Sequence, residues 1–156
     1  MNKNSSTSDL FLVFRSDARL CALPLAHVAE TMRALPIEFL PQMPPFLLGA
    51  SIIRGQVVPV VHVAMLIGSA HHTLPARYVT LKLGDRQIAL AVDDVIGVRN
   101  LAATATEYIP PLLSESNSGA VAAIGTLDAE LLLVLQGAHL IPESVWELLD
   151  ARGAQS

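Results

Sequence analysis

The chain has 156 residues, enough for one ordinary domain or two small ones sharing a core, and its 10 Lys and Arg stand against 14 Asp and Glu, a formal charge of −4. No clustered basic stripe offsets that balance, which argues against nucleic-acid binding. With 52% hydrophobic and only 15% charged residues, either the core is large or the surface carries apolar contact patches.

Residues 1–9 are polar, lack the apolar stretch of a signal peptide and are expected to form a disordered tail. From there the apolar segments are short, β-branched and bounded by turn residues, which predicts strands rather than long helices. The first set is expected at 10–15, 20–23, 37–40, 48–53 and 57–61, with short helices at 27–33 and 63–67. Cys21, the only cysteine, lies between Leu20 and Ala22 and reads as a buried, inert thiol of a reducing, cytoplasmic compartment. The greasiest window, 46–68, is interrupted by Arg54, Gln56, Pro59 and His62, so direct membrane insertion is not expected. Pro59 has no N–H to give a ladder, which places its strand at a sheet edge or beside a bulge. Residues 41–45 and 112–119 are loops by composition, and 68–75 bridges the two halves. The second set of strands is expected at 78–83, 88–92, 96–99, 121–127 and 131–135, with hairpin turns at Gly84-Asp85 and Asp128-Ala129 and a short helix at 137–141. A last helix starts near Pro142, with Val145, Leu148 and Leu149 on one face.

The two sets resemble each other. Displacing the chain by 67 residues lays Phe11–Arg15 over Tyr78–Lys82, Arg19 over Arg86, Ala22-Leu23 over Ala89-Leu90 and Val28 over Val95. A displacement of 74 then lays Ile53–Val61 over Leu127–Leu135, the extra residues being assigned to the 112–119 loop. Two copies of one unit follow. Each offers about five short strands in roughly 60 residues, too little for a wide sandwich and enough for a small barrel that closes its own edges. The expected fold is therefore mostly β: two similar five-stranded, SH3-like barrels packed together, with short helices and a C-terminal helix. The expected organisation is a tail at 1–9, a single domain at 10–149 built of subdomains 10–68 and 76–141 that could exchange terminal strands, and a helix and tail at 142–156.

Chemistry-bearing patterns are scarce. No serine sits in a Gly-x-Ser-x-Gly elbow, no Gly-rich phosphate loop occurs, and Cys21 has no basic neighbour in sequence. His71-His72 are adjacent and point different ways on a strand or loop, a poor chelate; His62 ends an apolar strand as either a hydrogen-bonded residue or a metal ligand. Asp93-Asp94 follow a strand and are expected to cap the turn before Val95. The chain is therefore read as having no catalytic residues, metal or cofactor. One segment stands out, in which two apolar strands flank Arg54-Gly55-Gln56. Gly55 permits the positive φ of a tight turn, and Arg54 is either a solvated turn residue or an anchor for a partner's carboxylate or carbonyl groups.

Gly49-Ala50-Ser51-Ile52-Ile53-Arg54-Gly55 resembles the signature of the CheW domain family, Gly-x-x-Asn-Leu-Arg-Gly followed by an apolar Val-Pro-type strand. Phe11-Leu12-Val13-Phe14, Ala22-Leu23-Pro24-Leu25 with Val28 and Glu30, and Ala91-Val92-Asp93-Asp94-Val95 agree in order and spacing, so the resemblance runs from about residue 10 to 149. It implies a non-catalytic cytoplasmic adaptor that joins the regulatory domain of a CheA-type histidine kinase to the cytoplasmic tip of methyl-accepting chemoreceptors, gripping the receptor in a groove between the barrels. By that similarity Val28, Gly49 and Arg54 face the receptor, Glu30 contacts the kinase or another partner, and Gly55 is a structural turn. Two departures point to a divergent pathway, of pilus motility or another chemosensory system: Ile52 replaces the signature asparagine, and His62 stands where an acidic residue is usual. The competing reading is a small-ligand-binding double barrel that uses the crevice and His62. A hydrolase built on Cys21 or the histidines comes third and requires an exposed, reactive thiol.

Overall fold

The structure, a computed structural model, describes residues 10–68, 75–101, 106–108 and 120–155. Within them the strands run β1 Leu10–Ser16, β2 Arg19–Pro24, β3 Val28–Arg33, β4 Leu47–Ile53, β5 Gln56–His62, β6 Arg77–Leu83, β7 Arg86–Val92, β8 Asp94–Asn100, β9 Thr106–Tyr108, β10 Val121–Leu127 and β11 Glu130–Leu135. Helical turns fill Leu25–His27, Val63–Leu66 and Gly137–His139, and a helix spans Glu143–Gln155. The chain is mostly β, in two sheets ordered β8-β1-β2-β11-β10-β9 and β3-β6-β7-β5-β4. Sheet membership does not follow the halves of the chain. The β1–β2 hairpin joins the later strands, and the β6–β7 hairpin joins the earlier ones through the parallel pair β5–β7.

The internal repeat holds at the level of register. Val13 opposite Gly97 becomes Glu30 opposite Thr80, and Ala22 opposite Val134 becomes Ala89 opposite Val60, under the same displacements of 67 and 74 residues. Even the bulges correspond: Ala29 and Ile96 are the extra residues of one pair, Leu48 and Ala122 of the other. The turns match as well, with Asp17 and Gly84 at φ 59° and 67°, and Arg54-Gly55 and Asp128-Ala129 positive at both central positions. That last pattern suits the twist of two-residue hairpins.

The clusters explain the apolar composition. Val13, Leu20, Ala22, Leu132 and Val134 pack beneath one sheet, and the equivalent positions Val58, Val60 and Ala89, with Ile53, Tyr78 and Ala91, beneath the other. A larger cluster, including Phe14, Leu23, Val61, Leu81, Leu90, Val145 and Trp146, joins both sheets and the C-terminal helix. Central strands thus bury both faces, and Leu20–Leu23 and Ile88–Val92 read as unbroken apolar runs. Each such Leu or Ile side chain stabilises the fold by about 1.5–3 kcal/mol through burial.

Several local expectations are corrected. The helix expected at 27–33 is a strand instead: a helical turn ends at His27 and β3 follows, whose alternating burial and β-branched Val28 and Thr31 fit a half-buried strand. Residues 37–40 contribute only a bridge between Glu38 and Ala50, and β9 supplies the sixth strand of one sheet. Of the two placements expected for Pro59 the edge is excluded and the bulge holds: β5 is an interior strand, its ladder to β7 begins one residue later, at Val60, and the Leu48 bulge lies alongside. Asp93 caps the neighbouring β1–β2 turn, its Oδ2 accepting from the Asp17 N–H at 2.6 Å. In the last helix Val145, Trp146 and Leu149 face inward while Leu148 is exposed. The bridge at 69–74, His71-His72 and the 112–119 loop lie outside the described residues.

Candidate partner-binding site

Arg54 holds the first central position of the β4–β5 turn with φ 51°, and Gly55 follows at φ 80°, where glycine has no steric penalty. β3 and β4 are the two edges of the five-stranded sheet, and its curl brings the arginine side chain to β3. There it meets Glu30: Nε donates to Oε2 at 2.8 Å and Nη2 donates to Oε1 at 2.7 Å. Glu30 is fixed from below by the buried Thr80, whose Oγ1 accepts from the Glu30 N–H and donates to its carbonyl, both at 3.2 Å, next to the Ala29 bulge. The Arg54 hydrogen bonds hold the Glu30 carboxyl below the usual carboxylate range. The clasp is therefore complete above that range and weakens as pH falls through the lowered value.

The pair leaves valences open. A guanidinium has five N–H donors, and Glu30 takes two of them. The Arg54 side chain remains 76% exposed against 29% for Glu30, so the free donors face outward. Beside the turn, Ile52 and Val57 pair across the hairpin and stand 63% and 74% exposed, a solvent-facing apolar pair, and Phe39 is 78% exposed near the same strand.

Gly49 is buried at φ 146°, and a Cβ there would fall 2.1 Å from the Glu38 carbonyl oxygen. It lets the segment carrying Ile37 and Phe39 lie against β4, where Glu38 and Ala50 exchange backbone hydrogen bonds of 2.7 and 2.9 Å. Ser51 Oγ, donating to the Pro36 carbonyl at 2.8 Å, and Tyr78 OH, donating to the Leu35 carbonyl at 3.1 Å, tie down the start of that segment. Val28 is half-buried against the shared core. The five residues picked from the sequence therefore divide: Arg54 and Glu30 meet at the surface, Gly55 shapes the turn, Gly49 admits the neighbouring backbone, and Val28 is half core and half surface.

An open groove of about 1100 Å³ runs along this end of the five-stranded sheet. One wall is the β4–β5 and β6–β7 hairpins, with Ala50, Val57, Pro59 and Lys82. The other is the C-terminal helix, which leaves the six-stranded sheet and contributes Trp146, Leu149 and Asp150. The helix is pinned by Arg86, whose guanidinium lies 4.5 Å from the Trp146 ring centroid, donates to Glu143 at 3.1 and 3.3 Å, and stands 3.8 Å from Asp150. Sequence reading missed Trp146, Arg86 and Lys82. The match of Arg15 with Lys82 and of Arg19 with Arg86 in the repeat was the available signal.

The other chemical candidates are structural. His62 is buried at the end of β5, and its Nδ1 accepts from the Met65 N–H at 3.2 Å, starting the helical turn. Burial pushes the Cys21 thiol up to about 12, far from a reactive thiolate. Among the described residues no group of three His, Cys, Asp or Glu could hold a metal ion, and no helix is long and apolar enough to cross a membrane.

Comparison with known proteins bears on the whole arrangement. The family described as CheW-like domain matches residues 10–145. The scaffolding protein TtCheW from Thermoanaerobacter tengcongensis superposes with a TM-score of 0.73 at 21% identity, over 83% of this chain and 89% of that one. At that identity the likeness is one of fold.

Proposed function

The chain belongs to the CheW-like domain family, whose members are non-catalytic scaffolds, and from that premise we propose that it couples the cytoplasmic tips of chemoreceptors to the regulatory domain of a CheA-type histidine kinase. Residues 10–149 act as one domain of two subdomains that exchange their first hairpins. The observation that carries the reading is the Arg54–Glu30 clasp. It joins a hairpin turn to the edge strand β3, and each partner keeps free hydrogen-bonding capacity for a second molecule. Arg54 faces the receptor from the rim of the groove, together with Val28 and with the segment whose approach Gly49 allows. Glu30 faces the kinase. Bound to receptors, the protein works on the cytoplasmic side of the membrane without inserting into it.

The pathway is a divergent one, of pilus motility or another chemosensory system. Two positions support this: Ile52 exposes an apolar side chain where the family signature has asparagine, and His62 caps a helical turn where an acidic residue is usual. Binding assays against receptor and kinase sets from several pathways of one genome test it, and preference for a flagellar set would contradict it. The small-ligand alternative needs a pocket that encloses most of its ligand, and this groove encloses its contents only in part.

The direct test of the site is Arg54→Ala. Receptor-tip affinity falls about thirtyfold, as for a hot-spot arginine. The melting temperature moves by about 3 °C or less, because the ion pair is exposed. Unchanged affinity in a folded variant would remove Arg54 from the interface.

A further inference from the structure

The displacements that superpose the two repeats set Arg15 on Lys82 and Glu130 on Gln56. In the six-stranded sheet the first pair closes on itself: Arg15 donates to both Glu130 oxygens, at 2.5 and 3.1 Å. In the five-stranded sheet the acceptor is a neutral amide. Lys82 is exposed there and has no ion pair among the described residues. The other cations lining the groove already pair with carboxylates of this chain. Arg54 holds Glu30, and Arg86 holds Glu143 and Asp150 with the Asp85 charge nearby.

An ammonium has three donors and no acceptor, so a carboxylate from outside the chain is its natural complement. Lys82 and Gln56 line the same groove as Val57, Trp146 and Leu149. An amphipathic helix laid along such a groove would set its apolar side on those residues and its flank over Lys82. We infer that Lys82 is a specificity-determining residue that receives an Asp or Glu on the flank of the receptor helix, a role its repeat counterpart Arg15 gives up to Glu130 of its own chain. This inference rests on the receptor reading above.

The experiment uses the full chain and a receptor-tip fragment, titrated calorimetrically at low and at high salt. Gln56→Glu rebuilds the Arg15–Glu130 pair within the groove and satisfies Lys82 internally. It weakens binding about fivefold, as does Lys82→Gln, and both variants lose part of the salt dependence shown by the unaltered chain. Lys82→Arg binds within about twofold, and circular dichroism of all three variants matches the parent. If Gln56→Glu and Lys82→Gln bind like the parent at both salt concentrations, the assignment of Lys82 is overturned while the receptor reading stands. If the unaltered chain fails to bind any receptor tip, the receptor reading falls and takes this assignment with it.

Discussion

Gly49→Ala is a severe test of how the partner face is built. The new Cβ would lie 2.1 Å from the Glu38 carbonyl oxygen, 2.9 Å from its carbon and 2.8 Å from Ile37 Cγ2. Two of these atoms are backbone, so no side-chain rotation relieves the contact and the 37–39 segment must move off β4. That breaks the two hydrogen bonds between Glu38 and Ala50, at about 1 kcal/mol each. Alanine is also forced to φ 146°, a conformation that adds about 1–3 kcal/mol of strain. Together these give a loss of about 3–5 kcal/mol, or a fall of roughly 10 °C in melting temperature for a chain of this size. Thermal unfolding followed by circular dichroism measures it, with urea titration as the check on the free energy. A fall of less than about 3 °C would mean that the 37–39 segment and β4 can part at no cost, against the contacts described.

Ala129 occupies the second central position of the β10–β11 turn at φ 65°, where the equivalent residue in the first repeat is Gly55. Ala129→Gly therefore relieves left-handed strain and raises stability by about 0.5–1 kcal/mol in urea unfolding, after the entropy that glycine gains in the unfolded chain is subtracted. Cys21 is fully buried with its thiol pushed up to about 12, so a maleimide labels the native protein far more slowly than the urea-unfolded one. Fast native labelling would contradict that burial. Trp146, the only tryptophan, is 7% exposed, which makes its fluorescence a reporter of helix docking. Arg86→Ala should red-shift that emission as the helix loosens, whereas Trp146→Ala costs about 3–5 kcal/mol.

The repeat, the mostly-β class and the turns were legible in the sequence because each rests on local chemistry. Gly84 and Asp128 are residues that tolerate a left-handed backbone, and the arginine matches kept the 67-residue displacement apart from chance alternation. Strand β3 was hidden. Val28, Glu30 and Met32 alternate in burial with Ala29, Thr31 and Arg33, but the charge of Glu30 on the inner side breaks the alternation of hydropathy. The interior position of Pro59 depends on where a parallel ladder with a distant strand happens to start, a tertiary fact that no window of sequence carries. The candidate site shows the same division. Arg54 and Gly55 declared themselves as a turn, and Glu30 and Val28 came from the family resemblance. That Glu30 and Arg54 pair with each other depends on β3 and the β4–β5 turn meeting at one end of a sheet, 24 residues apart in the chain. The far wall of the groove was least visible, because Trp146 lies on the C-terminal helix, beyond both repeats.

Whether one chain joins two partners is decided by mixing it with a CheA-type regulatory domain and a receptor-tip fragment and measuring the mass of what forms by size exclusion with light scattering. A ternary complex is expected to persist through the column and to lose the receptor when Arg54 is replaced by alanine. Separate species with every kinase and receptor pair of the same genome would contradict it.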